Sequence, residues 1–280
     1  MRLAVASGKG GTGKTLVAVN LGCVLAADGP AMLVDCDVEA PNAHLFLRPE
    51  LTERKEVSKR VPVIDESRCT DCGACTAACE FKALAFMAGH ALVFEELCHG
   101  CGRCGLVCPS GAVTEKEHPL GIIERGSAGD LAFAHGRLHI GEAMASPIIR
   151  ELKRSLPERG SIVLDAPPGT ACPVISTLHG VDAVLLVTEP TPFGLHDLRA
   201  AVNVARMLGL PAGVVINRDG IGDDDVERYC EEEDLPILLR IPFDRRIAET
   251  GAEARLLIDA LPEWRLPFAE LAASAKELAT

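Results

Sequence analysis

Two sets of residues have spacing that chemistry can use. Ser7 to Thr15 reads SGKGGTGKT and contains GxxxxGK[ST] at Gly8, Gly13, Lys14 and Thr15. Glycines at Gly8, Gly10, Gly11 and Gly13, with Thr12 between them, let backbone N–H groups turn inward around phosphate oxygens. Lys14 then reaches the outer phosphates, Thr15 offers a hydroxyl to Mg²⁺, and the following helix adds positive potential. The second set is cysteine. Eight of the twelve cysteines fall between Cys69 and Cys108, where Cys69, Cys72, Cys75 and Cys79 spell CxxCxxCxxxC and Cys98, Cys101, Cys104 and Cys108 repeat it 29 residues on. In a reducing compartment such thiolates are expected on metal rather than in disulfides.

Elements must position these groups. A short apolar strand, Leu3 to Ala6, leads into the glycine loop, an amphipathic helix runs from Lys14 to about Ala27 and stops at Gly29, and a second strand covers Ala31 to Val34. Arg48 to Arg60 is polar and charge-dense, and reads as a linker. Beyond the cysteines, strands at Ser161 to Leu164, Ala183 to Val187, Gly213 to Ile216 and Ile237 to Ile241 alternate with helices at Gly194 to Leu208 and Asp223 to Asp234. Alternation on both sides of the cysteine block predicts an α/β fold, a doubly wound parallel sheet interrupted by a small inserted α+β domain. The expected boundaries are 1–61 with 119–280 for the sheet domain and 62–118 for the insert. Asp35 and Asp37 follow one strand and Asp165 follows another, so all three could face a triphosphate and its metal at the carboxyl edge. Acidic residues at strand ends also serve as helix N-caps.

Composition narrows the class. Apolar residues make up 48% and charged residues 24%, enough for a sizeable core, and the net charge is −12. That charge repels nucleic-acid backbones and anionic lipid, and an aromatic share of 4% offers few base-stacking surfaces. No nucleic-acid partner is expected. With no apolar run near the ~20 residues of a membrane span, and the glycine loop beginning at once, no stable membrane insertion and a cytoplasmic location are expected.

The chain resembles the deviant Walker A ATPases of the MinD/ParA/Mrp type, related to the nitrogenase iron protein. The resemblance rests on Lys9 in GKGGTGKT, on DCDVEAPN (Asp35 to Asn42), DAPPGT (Asp165 to Thr170), TEPTPFGLHDL (Thr188 to Leu198), VVINR (Val214 to Arg218) and IPFD (Ile241 to Asp244). It implies ATP sandwiched between two subunits of a homodimer, with Lys9 crossing to the partner's nucleotide. It also implies that Asp37 orients the attacking water, that Asp35 and Asp165 hold Mg²⁺ directly or through water, and that Gly169 senses the γ-phosphate. Asn217, with Arg218 beside it, would read adenine.

The cysteine block, over roughly residues 62 to 118, resembles a bacterial two-cluster ferredoxin. Three closely spaced thiolates fit three corners of a cubane, and the fourth cysteine of each run crosses to the other cluster. The resemblance thus assigns Cys69, Cys72, Cys75 and Cys108 to one [4Fe–4S] centre and Cys79, Cys98, Cys101 and Cys104 to the other. Structural zinc usually takes two CxxC pairs separated by a longer loop, unlike this triple spacing. The second run ends in Cys108 and Pro109 whereas Cys79 is followed by Glu80, a departure that removes no ligand.

Weaker signals are expected to be packing. Cys172, seven residues after Asp165, is read as a small buried thiol, with a subunit-bridging cluster as its alternative. Cys23, Cys36 and Cys230 are read as packing, His99 as a solvated loop histidine, and the tail with Trp264, Leu266, Phe268 and Leu271 as docked on the core. The combination implies an ATP-gated electron carrier that docks a protein redox partner. The alternatives are an assembly factor that hands clusters or metal to a client metalloprotein, and a redox-sensing spatial organiser of the ParA sort.

Overall fold

The computed structural model describes residues 1–87 and 90–280. In chain order the elements are β1 (Arg2–Ala6), α1 (Lys14–Asp28), β2 (Ala31–Asp35), α2 (Ala43–Leu47), β3 (Glu50–Ile64), α3 (Ala74–Ala78), β4 (Leu84–Met87), β5 (His90–Val93), α4 (Arg103–Leu106), β6 (Val113–Ala128), β7 (Leu131–Leu138) and α5 (Ala145–Arg154). There follow β8 (Ser161–Asp165), α6 (Cys172–Leu178), β9 (Ala183–Thr188), α7 (Pro192–Met207), β10 (Ala212–Asp219), α8 (Asp225–Glu232), β11 (Ile237–Pro242), α9 (Arg245–Ala252), α10 (Leu257–Ala260) and α11 (Arg265–Leu278).

Nine strands form one sheet in the order β11-β10-β9-β1-β8-β2-β7-β6-β3. From β11 to β7 the pairs are parallel, and β6 and β3 close that edge with antiparallel pairs. Central strands such as β2 (AMLVD) and β9 (AVLLVT) are buried along their whole length, as continuous apolar runs covered on both faces require. One face packs Ile148, Leu152, Val174, Leu198, Val202 and Val226 from α5 to α8. The other packs Val17, Leu21, Ile247, Phe268 and Leu271 from α1, α9 and α11. The expected doubly wound sheet is present, and the tail docks on the core through Phe268, Leu271, Ala272 and Ala275.

The expected linker at Arg48 to Arg60 is instead most of β3, which pairs with β6 from Glu50↔Ser127 to Ile64↔Val113. Its charge density reflects exposure: residues 50–56 are all exposed, and only Val57, Lys59 and Val61 turn inward at alternating positions before Pro62. Backbone pairing with β6 makes the strand, overriding its side-chain preferences. Strands β6 and β7, not expected from the sequence, complete that edge. At the end of the β3–β6 ladder sits the cysteine-rich stretch, with α3, α4 and the β4–β5 hairpin. Over 14 residue steps the ladder reaches roughly 45 Å. Among the described residues no helix is long and apolar enough to cross a membrane.

Candidate functional site

Strand order brings the carboxyl ends of β10, β9, β1, β8 and β2 side by side, and the first site lies along that edge. A cleft of about 480 Å³ is lined by Gly10, Gly11, Gly13, Lys14, Thr15, Asp37, Asn42, Asn217 and Arg218, with Leu16, Phe46, Pro168, Phe243, Asp244 and Ile247 among its other walls. That volume suits a small-molecule ligand. Gly13 stands at φ +95°, and a side chain there would collide with the Asn217 amide.

Two carboxylates underlie the loop. Thr15 Oγ1 donates to Asp165 Oδ2 at 2.7 Å, while Asp165 Oδ1 is buried with no hydrogen-bond partner among the described residues. Asp35 accepts the N–H groups of Asp37 (3.0 Å), Asn42 (2.9 Å) and Ala43 (3.0 Å), so it ties the loop after β2 to the start of α2. Burial pushes the Asp35 carboxyl up to about 6 against the pull of those three donors. Burial together with the neighbouring Asp35 pushes Asp165 well above the ordinary range. Burial also lowers Lys14, with Asp165, Asp37 and Asp35 pulling it back, and raises the half-buried Asp37 carboxyl despite Lys14. An unpartnered carboxylate oxygen beside a threonine hydroxyl is a donor set that suits Mg²⁺.

Other residues named from the sequence sit beside the cleft. Thr12 is buried, its hydroxyl without a partner among the described residues. A side chain at Gly8 would strike the Asp197 carbonyl of α7. The Gly169 N–H donates to the Ser7 carbonyl at 3.1 Å. Asn217 Nδ2 donates to the Thr12 carbonyl at 2.8 Å, and its Oδ1 accepts from Arg218 N at 2.9 Å, so this amide braces the loop. Lys9 turns away from the cleft to pair with Glu189, whose place in the Thr188 to Leu198 motif assigns it no role by itself.

The second site is a pair of hollows. Cys69, Cys72, Cys75 and Cys108 line one, with Ile64, Phe86 and Val113. Cys79, Cys98, Cys101 and Cys104 line the other, with Arg60, Pro62, Phe81 and His99. The 29-residue repeat recurs in the backbone: Gly73 and Gly102 both stand at φ +70° before α3 and α4. Ala83 N donates to Cys79 Sγ and Ala112 N to Cys108 Sγ, each at 3.3 Å. Gly100 N likewise reaches Cys98 Sγ at 3.4 Å. A hydrogen bond with Ser110 holds the Cys108 thiol below its ordinary value, while burial raises Cys75 and Cys104. Among the described residues no three ligand-type side chains close on one point as a single ion requires. Four thiols lining one hollow would suit a cluster, which takes each thiolate on its own iron.

Outside these sites, Cys172 is exposed, which overturns the expected buried thiol: it heads α6 at the sheet edge, outside either core face. Cys36 and Cys230 are buried and Cys23 is partly so. His99 stacks on Phe81, ring centroids 3.7 Å apart.

A parallel sheet with a phosphate loop at its carboxyl edge defines a P-loop nucleotide-binding protein. The chain matches the CobQ/CobB/MinD/ParA nucleotide binding domain over residues 3–258, and it belongs to that family. It is 33% identical over 252 residues to an uncharacterized protein of Methanocaldococcus jannaschii, covering 89% of this chain and 88% of that one. It is 27% identical to an iron-sulfur cluster carrier protein of Pyrococcus abyssi, over 89% of this chain and 76% of that one. The fold is similar to that of the septum site-determining protein MinD complexed with Mg-ADP from Pyrococcus horikoshii, with TM-score 0.63, 22% identity, and coverage of 99% and 96%.

Proposed function

We propose that the chain is a dimeric, ATP-hydrolysing P-loop protein that carries two [4Fe–4S] clusters and couples its nucleotide state to electron transfer with a protein redox partner. The observation that carries this reading is the crossed composition of the two hollows, each gathering three cysteines of one run and the last cysteine of the other. Residues 1–61 and 119–280 form the ATPase part, and 62–118 a ferredoxin-like insert. Bound in the hollows, the clusters would supply low-potential one-electron storage.

The chain's own residues do the rest. The backbone of Gly10 to Gly13 and the Lys14 ammonium bind the phosphates, Thr15 and Asp165 hold Mg²⁺ with Asp35 behind them, and Asp37 orients the attacking water. Lys9 acts on the nucleotide of a second subunit, so that hydrolysis depends on pairing. Coupling runs through continuous structure: Asp35 holds the N-terminus of α2, α2 leads into β3, and β3 with β6 reaches the hollows. Exposed apolar side chains near the cysteines, Leu106 at 88% and Leu97 at 53%, give a redox partner something to bury.

A second reading, delivery of clusters to a client metalloprotein, is favoured by the relative named as an iron-sulfur cluster carrier. Anaerobic incubation with an apo-acceptor separates the two, since an electron carrier keeps its clusters.

The test of the primary reading is iron and spectroscopic analysis of anaerobically isolated full-length protein. About eight irons per chain are expected. The residual electron paramagnetic resonance spectrum of Cys108→Ala should match that of Cys69→Ala, and Cys79→Ala should match Cys98→Ala. Pairing of Cys108→Ala with Cys98→Ala, or an absence of iron, contradicts it.

A further inference from the structure

Glu189 follows β9 directly, and β9 neighbours β1, which feeds the phosphate loop. Its side chain is only 10% exposed, yet it meets two cations: Lys9 Nζ bonds to Oε1, and Arg218 Nη1 to Oε2 at 2.9 Å. Arg218 Nη2 also donates to the Gly11 carbonyl at 3.3 Å. One carboxylate therefore gathers a loop lysine and an arginine from the end of β10 across the outer side of residues 9 to 11.

The clamp is held at every corner. Arg218 stands in the left-handed region at φ +57°, its N–H bonded to Asn217 Oδ1, while the other end of that amide holds the Thr12 carbonyl. Ser7 Oγ donates to the Lys9 carbonyl. The Glu189 carbonyl accepts from Thr191 N at 2.8 Å and lies 2.1 Å from where a Gly194 side chain would begin, so α7 leaves the glutamate backbone nowhere to move. Although burial alone would raise the Glu189 carboxyl, Lys9 and Arg218 hold it below the ordinary range, so it stays charged. Lys9 is 30% exposed, and its ammonium contributes nothing to the cleft wall.

We propose that Glu189 is a positioning residue that retains Lys9 on its own subunit and so sets the threshold at which two nucleotide-loaded subunits pair. The inference rests on the reading that Lys9 serves the partner's nucleotide. To do so Lys9 must leave Glu189, and Arg218 remains to neutralise the carboxylate, so the departure strands no buried charge. Two such pairs open in each dimer. A partly exposed ion pair is worth a few-fold in equilibrium, and two of them about tenfold.

The test uses the full-length chain with adenylyl imidodiphosphate and Mg²⁺, and with ADP and Mg²⁺. Sedimentation of wild type, Glu189→Gln, Lys9→Ala and the double variant gives the protein concentration at half-dimer. Glu189→Gln should lower that midpoint about tenfold with the triphosphate analogue, leave ADP behaviour monomeric, and have no effect in the Lys9→Ala background. In nucleotide-free protein, acylation of Lys9 read by mass spectrometry should become several-fold faster, a change that a purely structural glutamate would not produce. Should Glu189→Gln fold poorly, Glu189→Asp, which keeps the charge and shortens the reach, should still quicken Lys9 acylation. Unchanged acylation in either folded variant, or an unchanged midpoint in Glu189→Gln, overturns the proposal. If Lys9→Ala pairs as readily as wild type, the trans-lysine reading itself fails. If Lys9→Ala is impaired while Glu189→Gln matches wild type, only the Glu189 proposal does.

Discussion

Asp37 lines the cleft beside Lys14, half-buried and raised in pKa chiefly by burial. On the proposed function its carboxylate is the one that orients water, since both oxygens of Asp35 accept backbone N–H groups and Asp165 bonds Thr15. Replacing Asp37 by Ala should therefore slow hydrolysis by about 10²–10⁴-fold while leaving ATP affinity within a few-fold, as steady-state turnover and equilibrium binding would check. Equal loss of both would assign Asp37 to binding. Residues of this kind were legible in the sequence because a phosphate loop demands particular backbone freedom at Gly13 and a fixed lysine at Lys14. Glu189 was not legible. Its meaning lies in contacts with Lys9 and Arg218, and no local spacing encodes a pair 180 positions apart. The bond from the Asn217 amide to the Thr12 carbonyl, across 205 positions, was equally hidden from local spacing.

The ladder of β3 and β6 is the element that the sequence concealed. Alternation of Val57, Lys59 and Val61 toward the core is strand periodicity, but a lysine at the middle position masks it. Lys59 is buried at 7% exposure because Glu142 lies 3.9 Å away and the Glu96 carbonyl and Met144 sulfur each lie at 3.5 Å. Next to it His118 of β6 bonds Glu142 at 2.7 Å through Nε2 and Glu95 at 2.8 Å through Nδ1, while Lys116 holds Glu95 from the other side. This cluster joins the cysteine-rich stretch, the ladder and the segment before α5. Bonds to Glu142 and Glu95 through both ring nitrogens favour the doubly protonated ring and raise its pKa above the ordinary histidine value, despite some burial and the nearby Lys59. A raised pKa stabilises the fold fully below the unfolded value, and that contribution disappears as pH climbs through the folded one. Accordingly His118→Gln should melt several degrees below wild type at pH 6 and close to it at pH 9, by thermal unfolding monitored at both. An equal deficit at both pH values would mean that the ring acts by packing alone.

On the scale of the whole molecule, the order of parts along the ladder matters most. Nearest the sheet is the hollow of Cys79, Cys98, Cys101 and Cys104, beside Arg60 and Pro62, and beyond it the hollow of Cys69, Cys72, Cys75 and Cys108, beside Ile64 and Val113. The doubly wound sheet was legible because β1, β2, β8, β9, β10 and β11 are apolar runs punctuated by glycine and charge. Its antiparallel edge was not, since β3 is largely solvent-facing and owes its form to pairing with β6. A continuous ladder that follows α2 along the chain should carry the nucleotide state to the nearer hollow first. The most direct measurement is the midpoint potential of each centre, by anaerobic spectroscopic titration of the full-length protein, in ATP with hydrolysis blocked by Asp37→Ala and again in ADP. The nearer centre should shift by about 40 mV or more, the equivalent of ~1 kcal/mol of coupling, and Lys9→Ala should abolish the shift. Identical potentials in both nucleotides, with the dimer formed, would contradict it.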